Sequence, residues 1–273
     1  MNAPFKVRAS SWGSLFDCAH KWEGTHILGM YLPSGPRAQL GTAIHAATAV
    51  FDQAELDGQP LRPADVAPVL VDQIRNPERD VDWTIDPDFT PNDAEKIGLQ
   101  LVSRYCIEIA PKYQYVSVET AVTPWAIDCG NGVVIEITGT LDRSRARAGT
   151  NGIGICDLKS GGTAVQKGRA KTKGHAPQVG TYELLYERTT NTLVTEPAEI
   201  IGLKTNGKPE VAISQIINAR AQLIGTDGEP GMMDYAADMF RTGLFPPNPT
   251  SMMCSKKYCA RWPTCRFKDR EDD

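Results

Sequence analysis

The sequence lacks any apolar run close to the roughly 20 residues that a membrane-spanning helix needs, and its first residues contain no apolar stretch typical of a secretory signal. We therefore expect a cytoplasmic protein with no membrane contact, in which thiols stay reduced. The sequence also lacks an excess of one charge, because 29 Lys and Arg face 33 Asp and Glu. The net charge of −4 argues against a protein that coats nucleic acid with its whole surface.

Internal repeats and low-complexity tracts are also absent, and the composition is that of an ordinary globular protein. Apolar residues make up 41% and charged residues 23%, which excludes a mainly disordered chain, a collagen-like chain and a coiled coil. A length of 273 residues suffices for a substantial core without disulfides or metals. The segment at about 58–92 is rich in proline and acidic residues, and we expect it to form an insert in the domain.

The spacing of apolar residues changes along the chain between helical and strand periodicity. Helices are predicted over 10–32, 38–56, 92–109, 177–188 and much of 214–242, and strands over 116–120, 133–141, 152–158 and 199–203. Asn92 is the expected N-cap of the third helix. The turn sequence Cys129-Gly-Asn-Gly predicts a hairpin between the first two strands. This order of elements is typical of a mixed α/β domain.

Three charged side chains stand out in two consecutive predicted strands. Asp142 is expected at the end of one strand, and Asp157 and Lys159 are two residues apart on the next, so their side chains point to the same face. If these strands are neighbours, the two carboxylates repel each other unless a cation lies between them. Oxygen ligands suit Mg²⁺ or Mn²⁺, and the lysine could stabilise a phosphate oxygen or activate water, which predicts phosphodiester hydrolysis. A salt bridge of Lys159 with either aspartate at the edge of the sheet is the alternative.

Basic side chains concentrate in a glycine-rich loop after the third predicted strand, at Lys167, Arg169, Lys171 and Lys173. Over residues 143–175 the chain has eight Lys or Arg residues and a single acidic residue. A local basic face on an acidic protein favours a confined anionic ligand. The alternative is that the basic and acidic surfaces are simply solvated.

The seven cysteines are distributed unevenly, and three of them crowd near the C-terminus at Cys254, Cys259 and Cys265. An odd number of cysteines in a cytoplasmic chain argues against a disulfide framework and favours metal ligation or buried thiols. Their spacing differs from the tighter cysteine pairs of zinc ribbons. Three ligands need a distant fourth, and Cys18 is the best candidate.

Seven short segments, which include the charged residues and cysteines above, resemble motifs of the PD-(D/E)XK nucleases. Within that family they resemble the RecB-like exonuclease branch. They occur in the family's order between residues 10 and 267, as SSWGSLFDCAHKW, LGTAIHAA with His45, Val118-Glu119-Thr120, TGTLDR with Asp142, CDLKSG with Asp157 and Lys159, QVGTYELLY with Gln178 and Tyr182, and CSKKYCARWPTC. The resemblance therefore covers nearly the whole chain. The family more often has Glu where Asp157 stands, and the shorter side chain would place a metal closer to the backbone.

The resemblance implies one domain over residues 1–273 with a restriction-endonuclease-like core, in which helices flank a central mixed β-sheet. It implies catalytic roles for Asp142, Asp157, Lys159, Gln178 and Tyr182, of which Gln178 and Tyr182 share a helix face and could contact phosphate or brace the lysine. It also implies a Mg²⁺ or Mn²⁺ site formed by His45, Asp142, Asp157, the Leu158 carbonyl and Glu119. The alternatives are a core histidine at 45, helix packing at 178 and 182, and a surface glutamate at 119.

The same resemblance implies a [4Fe–4S] cluster that ties the chain termini together through segments 10–30 and 250–268, bound by Cys18, Cys254, Cys259 and Cys265. Zinc is the alternative. The implied activity is that of a metal-dependent DNA exonuclease acting on single strands or DNA ends in recombination, repair or phage DNA processing, with a recombination or helicase protein as partner. The basic loop would guide the DNA strand. Two other hypotheses remain: a non-enzymatic DNA-binding module with a degenerate nuclease fold, and a zinc-stabilised adaptor.

Overall fold

The computed structural model describes residues 3–147 and 152–268 of the chain. Its helices are α1 (Trp12–Asp17), α2 (Ala19–His26), α3 (Pro36–Leu56), α4 (Ala67–Arg75), α5 (Pro91–Arg104), α6 (Ala176–Thr190), α7 (Ala219–Ile224) and α8 (Met232–Thr242). Its strands are β1 (Phe5–Arg8), β2 (Gln114–Ala121), β3 (Trp125–Asp128), β4 (Val134–Thr138), β5 (Thr140–Ala146), β6 (Ile153–Gly161), β7 (Val165–Gln166), β8 (Arg169–Ala170), β9 (Ala198–Lys204) and β10 (Glu210–Ile216). No helix within these described residues combines the length and the apolar character required to span a bilayer.

The central element is a five-stranded sheet with the order β10-β9-β6-β5-β2. β6 and β9 are parallel and are joined by a connection that contains α6, whereas the other neighbouring pairs are antiparallel. A second sheet has the order β1-β4-β3, and β7 and β8 form a short hairpin. The predicted α/β fold with a mixed sheet flanked by helices is therefore confirmed.

Two apolar cores lie on opposite faces of the central sheet. On one face, Cys156 and Leu158 of β6 pack with buried side chains of α3, α4 and α5. On the other face, Ile153 and Ile155 pack with side chains of α1, α2, α6, α8 and the smaller sheet. Because successive residues of a strand point to opposite faces, Cys156 points away from Asp157, as the sequence predicts.

The acidic segment at 58–92 packs against the rest of the domain, and its being an insert stays a prediction. Its helix α4 buries Leu70 and Ile74 against side chains of α3 and α5. The many acidic residues and prolines that dominate its composition are mostly exposed. The apolar residues recur at helical spacing, and these decide how the segment packs. The N-cap of α5 is Thr90 and not Asn92, because Thr90 and Asp93 exchange hydrogen bonds in a capping box that satisfies two helix-terminal donors.

The strand predicted over 133–141 is divided at Gly139 into β4 and β5, which belong to different sheets. The glycine-rich turn joins β4 to β3, while β2 pairs with β5, so the predicted hairpin has a different first strand. Asp142 consequently lies within β5 and not at the end of a strand. β1 and β10 were not predicted, and both are edge strands with a single neighbour in their sheets.

Two predicted helices are interrupted. The helix predicted over 10–32 is broken at Cys18, whose extended backbone separates α1 from α2, and it ends at His26. The helix predicted over 92–109 changes at Tyr105 into a π-helical turn that extends to Ile109. Such wide turns change the direction of side chains, and here the Tyr105 hydroxyl donates to Asp52 of α3 at 2.6 Å.

We predict that Leu70→Ala lowers the free energy of unfolding by about 2–5 kcal/mol, because Leu70 is fully buried among three helices. Leu193→Ala is the matched control: Leu193 is 71% exposed, and its truncation should change stability by no more than about 0.5 kcal/mol. Urea unfolding followed by circular dichroism measures both values. Equal effects of the two substitutions would contradict the placement of the acidic segment in the core.

Candidate active site

The central sheet opens between β5 and β6. Their antiparallel ladder ends at the pair Arg143–Cys156, although β6 continues to pair with β9 as far as Gly161. Beyond that pair, the Leu158 N–H donates to the Asp142 carboxylate, with 2.8 Å between N and Oδ2. A side-chain oxygen thus replaces the backbone carbonyl as acceptor, so this N–H keeps a partner where the strands separate.

Three candidate metal ligands from three elements converge at this opening. Ligand atoms of His45, Glu119 and Asp142 lie within 4.8 Å of one another, the one such group of three or more among the described residues. His45 Nδ1 is 3.7 Å from Asp142 Oδ2. Helix α3 approaches β6 closely because Gly41, one turn before His45, has no side chain: a Cβ there would be 2.7 Å from Ser160 Oγ. One imidazole and two carboxylates form a donor set that suits Mn²⁺ or Mg²⁺.

Asp157 and Lys159 lie on β6 beside this group and contact each other. Asp157 is fully buried, and the Lys159 Nζ is 2.6 Å from its Oδ2. Gln178 of α6 donates from Nε2 to Asp157 Oδ1 at 3.0 Å and to the Tyr182 hydroxyl at 3.3 Å. Burial raises the pKa of the Asp157 carboxyl, Lys159 opposes this shift, and the nearby Asp142 adds to it. A cation between the two carboxylates would relieve their repulsion.

The backbone is irregular where Glu119 of β2 faces Asp142 of β5. Glu119 has a φ of +45°, which is uncommon for a residue with a side chain. Leu141 packs in the core on one face of the sheet while Arg143 contacts α3 on the other, although regular alternation would place both on one face. Strained conformations of this kind cost about 1–3 kcal/mol and persist where surrounding contacts hold them. Burial, and after it Asp142, raise the pKa of Glu119.

The basic face predicted over 143–175 is narrower than its sequence suggests. Arg143 and Arg145 are buried and form ion pairs with α3 and β9, so they do not face solvent. Arg147 is exposed but pairs with Glu196, and four further exposed cations are on the β7–β8 hairpin and just after it: Lys167, Arg169, Lys171 and Lys173. These four form no ion pair with a carboxylate of residues 3–147 or 152–268. An anionic ligand can therefore approach them without first displacing a carboxylate of these described residues.

His175, which precedes α6, shows that the hairpin adjoins the opening. Burial, and after it the positive charges of Lys159 and Lys171, lower the pKa of His175 to about 4. One of these lysines lies on β6 in the opening and the other follows the hairpin. The imidazole is therefore neutral at neutral pH, and both lysines are close enough to influence it.

The residues predicted for the metal and for acid–base chemistry lie in one region, with three differences in detail. Asp157 is not among the ligand atoms that lie within 4.8 Å of one another, so its role as a metal ligand stays a prediction. Leu158 contacts Asp142 through its N–H, and its carbonyl as a metal ligand stays a prediction. Gln178 donates to Asp157, where the sequence suggested contact with phosphate or the lysine. Tyr182 is buried and contacts Gln178, which places it behind the carboxylate.

Sequence reasoning missed the buried ion pair behind these residues. Arg143 Nε lies 2.6 Å from Asp52 Oδ2, and both side chains are at most 1% exposed. The signal available in the sequence was weak: Thr48 and Asp52 follow His45 at spacings of three and seven, on the same face of an otherwise apolar helix. Polar residues on such a face indicate a buried polar partner but do not identify it.

The cysteine cluster predicted from the resemblance is not present as a set of closely spaced thiols. Four cysteines line one cavity beside the first two helices: Cys18, Cys254, Cys259 and Cys265. Within the described part of the chain, no three of their sulfurs lie within 4.8 Å of one another. The two chain ends do meet there, since the Asn248 N–H donates to Cys18 Sγ at 3.4 Å and Arg261 Nη1 donates to Glu23 Oε2 at 2.6 Å.

Comparison with known proteins identifies a structure of the same fold and a matching family. The fold is shared with the crystal structure of the protein named "Putative exonuclease" from Eubacterium rectale, with a TM-score of 0.55, 13% sequence identity, and coverage of 97% of this chain and 90% of that chain. At this identity the likeness concerns the fold. No protein of curated function matches the sequence. The family model of the PD-(D/E)XK nuclease superfamily matches residues 9–266, and the chain therefore belongs to the PD-(D/E)XK nuclease superfamily.

Proposed function

We propose that the protein is a Mg²⁺- or Mn²⁺-dependent DNA exonuclease of the RecB-like branch. The observation that carries the proposal is the convergence of Asp142, Asp157, Lys159 and His45 where β5 separates from β6. Membership of the superfamily supports phosphodiester hydrolysis, and the name of the E. rectale protein supports an exonuclease. We assign its action to single strands or DNA ends in cytoplasmic recombination, repair or phage DNA processing, alongside a recombination or helicase protein.

The residues present fit a divalent cation. His45, Glu119 and Asp142 offer a nitrogen and carboxylate oxygens that lie within 4.8 Å of one another, and we add Asp157 and the Leu158 carbonyl to this set. Burial raises the pKa of Glu119 and of Asp157, and repulsion by Asp142 adds to both shifts. A bound cation would lower these pKa values again. When bound, the ion would supply Lewis-acid activation of water and would neutralise charge on the phosphate.

The side chains around the ligands have separate tasks. Lys159 carries a positive charge at the opening, where it stabilises the negative charge that develops on the phosphoryl oxygens. Asp157 holds this ammonium at 2.6 Å. Gln178 donates to Asp157 and is itself fixed by Tyr182, so α6 sets the orientation of the carboxylate. Each of these tasks needs a fixed geometry, which the burial of Asp157, Gln178 and Tyr182 provides.

The β7–β8 hairpin is our candidate for the contact with the DNA strand. Its cations, Lys167 and Arg169, are exposed, and its two-residue turn has a left-handed backbone at Lys167 and Gly168, which makes a compact tip. Lys171 and Lys173 continue the positive surface toward α6. Phosphate contacts of this kind position a strand without reading its sequence.

The cysteine cavity supports a [4Fe–4S] cluster more than zinc. Zinc with Zn–S bonds of about 2.3 Å would bring four tetrahedral sulfurs to about 3.8 Å from one another. Among the described residues no three of these sulfurs lie within 4.8 Å of one another, so the compact tetrahedral set of a zinc site is not formed. Trp262 lines the same cavity, and its buried indole N–H has no acceptor among the described residues, which a sulfur-rich group would supply. We assign the cluster the structural role of joining the chain ends.

Asp157→Asn and Lys159→Met should each reduce Mn²⁺-dependent cleavage at least about 100-fold, because each removes a charge from the site while nearly preserving side-chain volume. The assay uses end-labelled single- and double-stranded DNA with Mn²⁺, Mg²⁺ or chelator, and early release of short labelled products identifies an exonuclease. Asp238→Asn, at a 71% exposed position, is the control. Undiminished cleavage by either site variant would exclude this site, and salt-sensitive DNA binding without any metal-dependent product would favour the non-enzymatic alternative.

Lys167→Glu combined with Arg169→Glu should weaken DNA binding and raise KM while leaving kcat nearly unchanged, because the hairpin contacts the strand and not the reacting phosphate. The slope of log Kobs against log salt should fall by about one for each lost phosphate contact. Arg62→Glu combined with Lys96→Glu makes the same charge change outside the hairpin. If this control weakens binding equally, the effect is one of net charge and the hairpin has no specific role.

Protein purified without oxygen should be brown and contain four iron and four sulfide per chain if the cluster is present. Cys259→Ser should lose the colour and the iron, and it should lower the melting temperature, because the chain ends are no longer joined. Cys129→Ser, at a cysteine outside the cavity, is the control. If the protein is colourless and contains one zinc per chain, the cluster assignment is wrong and the site binds zinc.

A further inference from the structure

A buried guanidinium lies directly behind the candidate metal ligands. Arg143 is completely buried, and its Nε donates to Asp52 Oδ2 at 2.6 Å. Its Nη1 donates to two acceptors, the Asp142 backbone carbonyl at 2.7 Å and Glu119 Oε1 at 3.0 Å. Its Nη2 donates to Thr48 Oγ1 at 3.3 Å. All three nitrogens of the guanidinium therefore have partners.

These contacts reach the three elements that carry the closely spaced candidate ligands His45, Glu119 and Asp142. Glu119 is on β2, Asp142 is on β5, and Thr48 is on α3, three residues after His45. Thr48 Oγ1 also lies within hydrogen-bond distance of the His45 carbonyl, at 3.0 Å. A rigid, planar group with donors in fixed directions can set the relative positions of several acceptors at once.

The guanidinium also has a firm anchor on its far side. Asp52 Oδ2 accepts from Arg143 and from the Tyr105 hydroxyl at 2.6 Å, and that hydroxyl is 2.9 Å from the hydroxyl of Tyr115. Tyr105 is the first residue of the π-helical turn, so the irregularity of that helix brings its hydroxyl to Asp52. Burial raises the pKa of Asp52, and Arg143 opposes the shift.

Stability alone is a weak reason for such a pair. Desolvation of two charges often offsets their attraction, and apolar residues of similar volume can stabilise a core as well or better. A second buried arginine on the same strand offers a comparison: Arg145 pairs with Glu199 at 3.0 Å but contacts none of the candidate ligands. The contacts of Arg143 with Glu119 and with the Asp142 backbone therefore distinguish it from an ordinary core ion pair.

We infer that Arg143, held by Asp52 and Thr48, is a positioning residue that fixes the Glu119 carboxylate and the Asp142 backbone relative to His45. It keeps Glu119 in its left-handed conformation by binding its carboxylate from the inside of the fold. The inference rests on the proposed function, since it assigns these three side chains to a metal ion. It adds a fixed cation behind the site that aims the ligands without contacting the reacting atoms.

The test measures Mn²⁺ binding to the full chain by titration calorimetry, in the absence of DNA. Asp52→Asn should weaken Mn²⁺ binding about 10-fold, the size typical of the loss of a group that orients metal ligands. Thr48→Val keeps the shape of the helix and removes one contact of the guanidinium, and it should weaken binding about 2- to 10-fold. Glu199→Gln is the matched control: it also breaks a buried carboxylate–arginine pair on β5, and its Mn²⁺ affinity should equal that of the wild type.

The outcomes separate this inference from the proposed function. If Asp142→Asn abolishes Mn²⁺ binding while Asp52→Asn and Thr48→Val bind as the wild type does, the inference is wrong and the metal site stands. If Glu199→Gln weakens binding as much as Asp52→Asn, the effect is general destabilisation and the inference is again wrong. If Asp52→Asn does not fold, Thr48→Val decides alone. Absence of Mn²⁺ binding by the wild type would overturn the proposed function together with the inference.

Discussion

The hydrogen bond from the Leu158 N–H to the Asp142 carboxylate is the interaction on which the candidate site depends. It lets β5 leave β6 without an unpartnered backbone donor, because a side-chain oxygen takes the place of a carbonyl in the ladder. The parallel pairing of β6 with β9 meanwhile keeps the other edge of β6 in place. The strand that carries Asp157 and Lys159 therefore belongs to the rigid core and borders the opening at the same time.

Charge balance is the second constraint, because Asp157, Asp52 and Arg143 are removed from water. Asp157 is offset by Lys159, and Asp52 by Arg143. Glu119 shares the single cation Arg143 with Asp52, and Asp142 lies 3.7 Å from His45. Burial raises the pKa of Glu119 and of Asp157, and the charge of Asp142 adds to both shifts. Carboxylates that outnumber the nearby cations are stabilised by a divalent cation, which agrees with membership of a superfamily of nucleases.

Much of the local chemistry could be predicted from sequence. The separation of Asp157 and Lys159 by two positions placed both on one face, and the helical spacing in 38–56 predicted α3 to within two residues of its first residue. Strand partners could not be predicted in this way, because the alternation within one strand carries no information about its neighbour. The division of residues 133–141 at Gly139 and the pairing of β2 with β5 were not predicted for this reason. The packing of 58–92 was likewise not evident from its composition, because its buried residues are few but regularly spaced.

The sequence by itself determined which residues carry charge, which strand and helix hold them, and which side of a strand they occupy, because these properties follow from local periodicity. Only the tertiary structure decided that Arg143 turns inward to Asp52, 91 positions away, while Asp142 turns toward Leu158. The same holds for the close approach of His45, Glu119 and Asp142. Such contacts depend on how α3 packs against the sheet and where two strands part, and both are set by the burial of side chains from the whole chain.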